Sequence, residues 1–565
     1  MKEKSIQKKN SSTLNDWLPK SVIALKNYSW HIFLSDLVAG ITVGLVALPL
    51  AMAFAIASGL PPQTGLYCGV IAGFLISALG GSLTQIGGPT GAFVVVVANI
   101  VSKYGVDGLL ICTIMAGILL IVLGLAGLGS AVKFIPRPVV VGFTNGIAVI
   151  IVSTQLKDFF GLSIKQLPGD FLGRIKIIFY NFSTLSLIET SLGVGALLVI
   201  LFFMNYVKRI PGYIVALVCG TGLVWLFGLP VETIGTRFGG IPSGLPALKI
   251  PEFNFGLIHQ LISPAITVAM LGAIESLMSA VVADRMSGDK HNPNVELIGQ
   301  GIANVISPLF GGLPATGAIA RTATNIRSGA KTPVAGMIHA LTLLAIVLFV
   351  APLAQFIPLS VLAAILFVVA YNMGEWHEIP QLLKLSNLEI GTWLLTFGLT
   401  VFADLTVAVE AGMILASLIF IRKVTNTTTI TRVTNEYVQQ ERAHILQDKQ
   451  IPDYVTIYRI HGPFLFGATD KLEEIIHQLP KLPPVIILRL LNMTSIDATG
   501  LKALERFSRS VHQSGRGLIL CGASEQPARL MRRAEFEHHV GPRNICENIV
   551  EALERAQQLF LELEL

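Results

Sequence analysis

The longest uncharged stretch of the chain sets the strongest limit on its fold. No Asp, Glu, Lys or Arg occurs from Leu37 through Ser102, a run of 66 residues. A helix of about 20 apolar residues crosses a hydrocarbon core about 30 Å thick, so this run must cross a bilayer more than once. Only 13% of the whole chain is charged, against about 25% in soluble domains. A soluble enzyme is therefore excluded, and a protein that spans the membrane several times is predicted.

Apolar segments divided by glycine, proline and charged residues fall into two sets of seven. A polar stretch that contains Glu232, Arg237, Lys249 and Glu252 separates the two sets. The first set is predicted at 36–58, 64–80, 89–101, 107–128, 133–156, 184–207 and 211–228. The second set is predicted at 264–284, 294–310, 316–328, 332–351, 356–373, 388–402 and 404–421. We therefore expect fourteen transmembrane segments in two repeats of seven.

Basic residues beside the first and last segments predict the orientation of the chain. Lys20 and Lys26 precede the first segment, and Arg422 and Lys423 follow the last. Cytoplasmic loops are enriched in Lys and Arg, and an even number of spans places both termini on one side. We therefore expect both termini in the cytoplasm, with the protein in the inner membrane of a bacterium.

Two segments are too short and too rich in glycine to span the membrane as ordinary helices. Residues 87–92 (GGPTGA) begin one, and residues 311–318 (GGLPATGA) begin the other. Each Thr-Gly-Ala lies at the start of the third segment of its own set, as expected of an internal repeat. Because each repeat has an odd number of spans, the second repeat crosses the membrane in the opposite orientation to the first. Inverted repeats with paired broken helices are typical of secondary transporters, which bind substrate between the breaks. Close helix packing is the alternative explanation of such patches.

Two half-helices that begin inside the membrane predict an anion site. Their first N–H groups lack partners and carry the positive end of the helix dipole. Arg321 lies about one turn after Gly317 and adds a permanent cation. Such a cation is costly in the membrane unless an anion or a water-filled cavity compensates it. The alternative, an arginine that extends to the cytoplasmic surface, fits Arg327 better than Arg321.

Glu275 is the single charged residue between Pro264 and Val282. Ser279 follows on the same helix face one turn later. A carboxylate at that depth needs a partner or a proton. Burial favours the protonated form and Arg321 opposes it, so we predict a pKa for Glu275 in the range that transport needs. A purely structural ion pair between Glu275 and Arg321 is the alternative.

Several motifs identify a resemblance to the SulP sulfate permease family, which is related to the animal solute-carrier anion exchangers and prestin. The motifs are LPLAMAFA at 48–55, GLPP at 59–62, GLY at 65–67, NVELIGQG at 294–301 and PATG at 314–317. The resemblance covers nearly the whole chain. It implies an all-α membrane domain of fourteen segments in a 7+7 inverted repeat with two broken half-helices. It also implies a division into a core domain that carries the anion and a gate domain that forms dimer contacts, and thus a homodimer.

The resemblance also implies which residues line the anion pocket. Leu50 departs from the family, because several relatives have a polar or acidic residue at this position, so no role there is transferred. Glu275 occupies the position where related bacterial carriers place a carboxylate for cation coupling, with Ser279 nearby. The implied substrate-binding residues are Phe54, Thr90, Gly91, Ala92, Ala318, Ile319, Ala320 and Arg321.

The pattern changes to alternating strands and helices from about Pro452. Strands at 454–458, 484–490 and 517–521 alternate with helices at 470–478 and 501–512, which is typical of a soluble α/β domain. With DATG at 497–500, this part resembles the STAS domain, which SulP carriers share with anti-sigma-factor antagonists. The resemblance implies possible phosphorylation at Thr499 and a cytoplasmic protein partner. A helix-capping role for Asp497 and Thr499 is the favoured alternative.

These features together predict the domain boundaries. A cytoplasmic tail over 1–35 is followed by the first repeat over 36–228, an extracytoplasmic connection over 229–263 and the second repeat over 264–425. A linker over 426–451 leads to the STAS domain over 452–565.

The function predicted from the sequence is secondary active transport of a small anion. Sulfate is the default substrate class, and a sodium-bicarbonate or a proton-dicarboxylate symporter is the alternative. An uncoupled anion channel or voltage-sensitive motor, and a membrane-anchored STAS scaffold without transport, are alternatives of other classes. No catalytic residue set or metal-ligand cluster is recognised, so we expect no enzyme activity, no cofactor beyond a coupling H⁺ or Na⁺, and no nucleic-acid partner.

Overall fold

The computed structural model describes most of the chain, in two compact units. The described residues are 17–26, 28–130, 136–164, 167–207, 211–242, 244, 247–248, 255–403, 405–433 and 451–564. The first unit is Met1–Ile414 and the second is Leu415–Leu565. Parts of the predicted N-terminal tail, connection and linker therefore lie outside the described residues.

The first unit is helical. Its first ten helices are α1 Lys20–Leu25, α2 Trp30–Ala57, α3 Pro62–Leu79, α4 Gly91–Leu125, α5 Arg137–Phe160, α6 Phe171–Tyr180, α7 Leu187–Tyr206, α8 Gly212–Phe227, α9 Ile234–Phe238 and α10 Phe255–Ser287. They are followed by α11 Pro293–Ile306, α12 Ile319–Arg327, α13 Val334–Phe349, α14 Ala351–Ala354, α15 Leu359–Met373, α16 Ile379–Leu382, α17 Asn387–Phe402 and α18 Leu405–Thr427, whose C-terminal half belongs to the second unit. Two short strands, β1 Gly87–Gly88 and β2 Thr316–Gly317, precede α4 and α12.

Each of the fourteen apolar segments predicted from the sequence overlaps one of these helices. Seven helices of the described chain are long and apolar enough to cross a membrane, so a membrane domain is confirmed while the count of fourteen spans stays a prediction. Two predicted segments share α4, which Gly105 interrupts with φ 73° and ψ −174°. The backbone of glycine adopts positive φ without steric cost, so the chain kinks at Gly105 between two helical stretches.

Several short helices, among them α6 and α9, and an early helix start were not predicted. The ten-residue α6 and the five-residue α9 lie between predicted segments, and the side chains of Asp170 and Thr233 cap their N-termini. Helix α10 begins at Phe255, within the stretch 229–263 that was predicted as a connection. Helices of this length are shorter than the window over which apolar periodicity is informative.

The helices pack in two groups, and each group draws on both predicted repeats. The first, called the core group, contains α2, α3, α4, α10, α11, α12 and α13, with extensive contacts between α11 and α4, α13 and α2, and α10 and α4. The second, called the gate group, contains α5, α7, α8, α15 and α17, with contacts between α17 and α5, α15 and α5, and α8 and α7. The first six predicted segments of each repeat thus lie in the same group as their counterparts.

The two breaks meet inside the core group. Strands β1 and β2 pair antiparallel, with Gly87 opposite Gly317 and Gly88 opposite Thr316. The backbone N–H of Ala318 also donates to Ile86 O at 2.8 Å. Chain segments that approach a common centre from opposite directions pair antiparallel, so this arrangement agrees with the inverted repeat that the sequence predicts.

The second unit contains a mainly parallel sheet. Its elements are β3 Thr429–Val433, β4 Val455–Phe464, α19 Asp470–Gln478, β5 Val485–Arg489, β6 Met493–Ile496, α20 Ala498–Gln513, β7 Gly517–Cys521, α21 Glu525–Arg533, α22 Glu537–Val540, β8 Ile545–Cys546 and α23 Ile549–Glu564. The strand order is β3-β4-β5-β7-β8, and β6 pairs with β4. Only β3 runs antiparallel to its neighbour, and apolar clusters cover both faces of the sheet.

Strand β3 lies in the stretch 426–451, which was predicted as a linker. It pairs with β4 from Thr429 opposite His461 to Val433 opposite Ile457. The alternating sequence TITRV favours a strand, but its partner lies more than twenty residues further along the chain. A pairing of that kind cannot be read from a local pattern.

Asp497 caps α20, as the sequence analysis favoured. Its Oδ1 accepts from Gly500 N at 2.7 Å, and its Oδ2 accepts from Phe466 N at 3.2 Å. Thr499 lies in the first turn of α20 with its side chain exposed. Phosphorylation of Thr499 stays a prediction.

Asp497→Ala is expected to destabilise the start of α20 by about 1 kcal/mol, the usual value of a lost N-cap. The backbone amides of Gly500 and Phe466 lose their acceptor, so both should exchange with deuterium faster in the full-length protein. Thr499→Ala is the matched control, because that exposed side chain caps neither amide. Unchanged exchange at both amides in Asp497→Ala would contradict the capping assignment.

Candidate anion-binding site

The paired strands place the N-termini of α4 and α12 on either side of one cavity. Thr90 is the N-cap of α4 and Ala318 is the N-cap of α12, and neither side chain caps its helix. The first N–H groups of a helix have no partner within the helix, and they carry partial positive charge. Two such termini favour an anion between them.

The cavity has a volume of about 390 Å³, which is sufficient for a small inorganic anion with water. Its wall combines the two breaks of the core group with side chains of the gate group. Eight of the residues singled out in the sequence line it: Phe54, Thr90, Gly91, Glu275, Ala318, Ile319, Ala320 and Arg321. Their assignment to substrate binding or coupling stays a prediction.

Arg321 provides the positive charge of the cavity. Its side chain is 2% exposed, and its Nη2 donates to Pro89 O of the first break. Its Nη1 is buried and has no hydrogen-bond partner within the described parts of the chain. A buried cation with an unpaired donor is costly. Because Arg321 lines the cavity, an anion there would compensate its charge.

Glu275 is partly buried on the core-group side of the same cavity. No hydrogen bond or ion pair joins it to Arg321 or to any other residue in the described ranges. The structure therefore contradicts the alternative in which Glu275 is only the ion-pair partner of Arg321. Glu375 also lines the cavity and interacts electrostatically with Glu275. Two carboxylates that share a site disfavour each other's ionised form.

Two predicted residues, Ala92 and Ser279, do not line the cavity. Ala92 follows Gly91 in the first turn of α4. Because each residue of a helix is rotated by about 100° from the one before it, Ala92 is buried against other residues and not at the cavity. The hydroxyls of Ser279 and Thr322 are 3.1 Å apart, and Thr322 Oγ1 also accepts from Ile86 N at 3.0 Å. Ser279 therefore contacts α12 through Thr322 and does not line the cavity.

The sequence analysis missed the polar residues on the opposite wall of the cavity. Thr144, Tyr213 and Asn372 come from the gate group, and Glu375 and His377 follow α15 in the chain. Glu375 is one of two residues other than glycine with positive φ in the described chain, at 43°. The available signal was the presence of Tyr213 and Asn372 in segments that are otherwise almost entirely apolar.

Gly88→Ala is expected to disturb the site without removing any polar group. Gly88 has a φ of 143°, which alanine rarely adopts, and an added Cβ would lie 2.7 Å from Arg321 Nη1. Because a hydrogen bond to a charged group contributes about 1.5–3 kcal/mol, displacement of the guanidinium should weaken anion binding about ten- to a hundredfold. Ligand-induced thermal stabilisation of the detergent-purified protein measures the affinity. Gly195→Ala on α7 is the control, since its Cβ would meet no atom within 4 Å. An anion affinity in Gly88→Ala equal to that of the parent would contradict the described position of the Arg321 guanidinium.

Comparisons with known proteins agree with the fold. The model of the sulfate permease family matches residues 33–396, and that of the STAS domain matches residues 447–552. The putative sulfate transporter YvdB of Bacillus subtilis is 41% identical over 525 residues, which cover 93% of this chain and 98% of that protein. The bicarbonate transporter BicA of Synechocystis is 33% identical over 535 residues, which cover 92% and 94%.

Two solved structures share the fold. The transmembrane domain of a cyanobacterial bicarbonate transporter BicA is 35% identical with a TM-score of 0.60, and the match covers 69% of this chain and 98% of that one. The structure of SLC26A9 is 19% identical with a TM-score of 0.85, and the match covers 99% and 95%. The resemblance drawn from the sequence motifs is confirmed: the chain belongs to the sulfate permease family of membrane anion transporters and carries a C-terminal STAS domain.

Proposed function

We propose that this protein is a secondary active transporter of a small oxyanion, with sulfate as the default substrate. The observation that carries the proposal is the buried Arg321, which lines a cavity together with the N-termini of α4 and α12. The anion is held by this guanidinium and by first-turn N–H groups of both half-helices. These donors recognise negative charge and oxygen acceptors rather than a particular molecular shape.

The two helix groups support a mechanism of alternating access. The breaks and Arg321 belong to the core group, and Tyr213 and Asn372 belong to the gate group on the opposite wall. A movement of the core group against the gate group carries the anion with its binding residues, which is the kind of motion found in transporters built from inverted repeats.

Glu275 supports coupling to a cation. With Glu275 and Glu375 ionised, the two carboxylates outnumber the single charge of Arg321, so an incoming anion is repelled. A proton or sodium ion at Glu275 offsets that repulsion. Cation and anion therefore occupy the cavity together, and symport follows. Ser279 belongs to this proposal as a residue one turn from Glu275 whose hydroxyl contacts Thr322 of α12.

Bicarbonate with sodium is the second candidate, and the charge of the cavity favours it. Among the described lining residues, Arg321 is the one Lys or Arg, so a monoanion is compensated more completely than a dianion. The identity with proteins named as bicarbonate transporters supports the same candidate. A C4-dicarboxylate with protons would need a second cation for its second carboxylate.

The proposal extends to location and assembly. Lys and Arg next to the first and last predicted segments support cytoplasmic termini, and the bacterial relatives support the inner membrane. The gate group is the proposed surface of a homodimer. The STAS domain is the proposed contact for a cytoplasmic protein partner.

Exchange by the purified protein in liposomes tests the substrate. Vesicles loaded with unlabelled sulfate, bicarbonate or succinate are placed in the same labelled anion, and counterflow is recorded. We expect counterflow of sulfate or bicarbonate and little of succinate. Absence of counterflow for all three, or electrical conduction of anions without exchange, would contradict a carrier of small oxyanions and favour a scaffold or a channel.

A further inference from the structure

A buried hydrogen-bond network behind the cavity joins the helix of Glu275 to the second break. Ser276 and Thr316 are fully buried, and their hydroxyl oxygens are 2.7 Å apart. Ser276 Oγ also accepts from Gly317 N at 3.1 Å, and Thr316 Oγ1 donates to Gly272 O at 3.0 Å. Because each hydroxyl carries one hydrogen, Thr316 donates to Gly272 and Ser276 donates to Thr316. Helix α10 and strand β2 are thus joined by three consecutive hydrogen bonds.

Gln85 extends the network to the first break. Its Nε2 donates to Ser276 O at 3.1 Å, and its side chain is buried. The amide lies against Gly317, where an added Cβ would be 1.7 Å from Gln85 Nε2. Glycine at this position is therefore required for the amide to reach α10. Both breaks contact the same residue of α10, Ser276.

We propose that Ser276 is a positioning residue through which cation binding at Glu275 changes the affinity of the anion site. Glu275 precedes Ser276 on α10 and faces the cavity, whereas Ser276 Oγ faces the second break. Gly317, whose N–H bonds to Ser276 Oγ, immediately precedes Ala318, the N-cap of α12. A shift of α10 on cation binding therefore moves the N-terminus of α12 and, one turn later, Arg321.

The surroundings of the network make this link stiff. Asn304 holds Ala315, the residue before Thr316, by two hydrogen bonds. Ala315 N donates to Asn304 Oδ1 at 2.8 Å, and Asn304 Nδ2 donates to Ala315 O at 2.9 Å. Close-packed interiors transmit small displacements instead of absorbing them. The inference rests on the proposed function, because it requires that Glu275 binds the coupling cation.

The test measures how strongly a cation changes anion affinity. Sulfate and bicarbonate affinities of the full-length protein are determined by thermal stabilisation in sodium and in potassium gluconate, and at acid and neutral pH. For the parent we expect a coupling factor within the usual range of about 5- to 150-fold, and for Ser276→Ala a factor below about twofold. Affinity without the coupling cation should stay close to that of the parent, because Arg321 and the N–H groups remain.

Two further variants keep the test decisive. Thr316→Val keeps the shape of the side chain but removes both of its hydrogen bonds, and it should also reduce coupling if Ser276→Ala does not fold. Ser58→Ala is the control, because this buried hydroxyl bonds only to Phe54 O of its own helix, and coupling should persist.

The possible results separate this inference from the proposed function. A parent with no cation effect on either anion would overturn the coupling role of Glu275 and this inference with it. A coupled parent together with a fully coupled Ser276→Ala or Thr316→Val would overturn this inference alone. Equal loss of anion affinity with and without the cation would also overturn it, since that result indicates a purely structural role.

Discussion

Arg321→Ala is expected to remove most of the affinity for anions while the fold survives. Arg321 is the one Lys or Arg among the described residues that line the cavity. A hydrogen bond to a charged group contributes about 1.5–3 kcal/mol, so the Kd of the anion should rise about ten- to a hundredfold or more. Stability should change little, because the removed charge was buried with an unpaired donor. Thermal stabilisation by sulfate and bicarbonate measures both quantities on one sample.

Arg327→Ala is the matched control for this experiment. Arg327 lies on the same helix, α12, but its side chain is exposed and outside the cavity. It should bind anions like the parent. A folded Arg321→Ala variant with unchanged anion affinity would show that the cavity is not the anion site.

Glu275→Gln is expected to abolish accumulation of the anion against its gradient while exchange down a gradient continues. Glutamine keeps the size and hydrogen-bonding capacity of glutamate but binds no coupling cation. The half-helix N-termini and Arg321 are untouched, so labelled anion should still exchange across the vesicle membrane. Uptake under an imposed sodium or proton gradient, compared with counterflow in the same vesicles, measures the two activities.

The structure also predicts that Glu275→Gln is stable. Breaking a buried ion pair costs about 3–5 kcal/mol, but Arg321 bonds to Pro89 O and not to Glu275. Glu410→Gln is the control, since Glu410 is exposed and bonds to Ser263 outside the cavity. A stable Glu275→Gln variant that still concentrates the anion would exclude Glu275 from coupling, and a strongly destabilised one would contradict the contacts described here.

The breaks could be predicted from the sequence because their backbone needs unusual residues. Gly88 has positive φ, and Gly317 leaves space only for the Gln85 amide, so glycine marks both places. Arg321 and Glu275 could be identified in the same way, because each is a charged residue within an apolar segment. Such a residue is visible in the local sequence, and it is costly in a membrane without a specific partner.

The opposite wall of the cavity could not be predicted, because some helices of the gate group are apolar on nearly all sides. In α8, for example, nearly every residue of Gly212–Phe227 is apolar, so periodicity does not indicate which face meets the cavity. Tyr213 and Asn372 reach the site only through the packing of distant helices. The network of Gln85, Ser276 and Thr316 is likewise made by residues far apart in sequence.

Uphill transport by the purified protein tests the central claim most directly. Proteoliposomes that contain equal internal and external concentrations of labelled sulfate, or of labelled bicarbonate, are given an inward sodium gradient or an inward proton gradient. The account predicts that one of these gradients drives net accumulation of at least one anion above its external concentration, and that Arg321→Ala and Glu275→Gln do not accumulate it. Net flux that only follows the anion's own electrochemical gradient, under every cation gradient, would contradict a cation-coupled carrier.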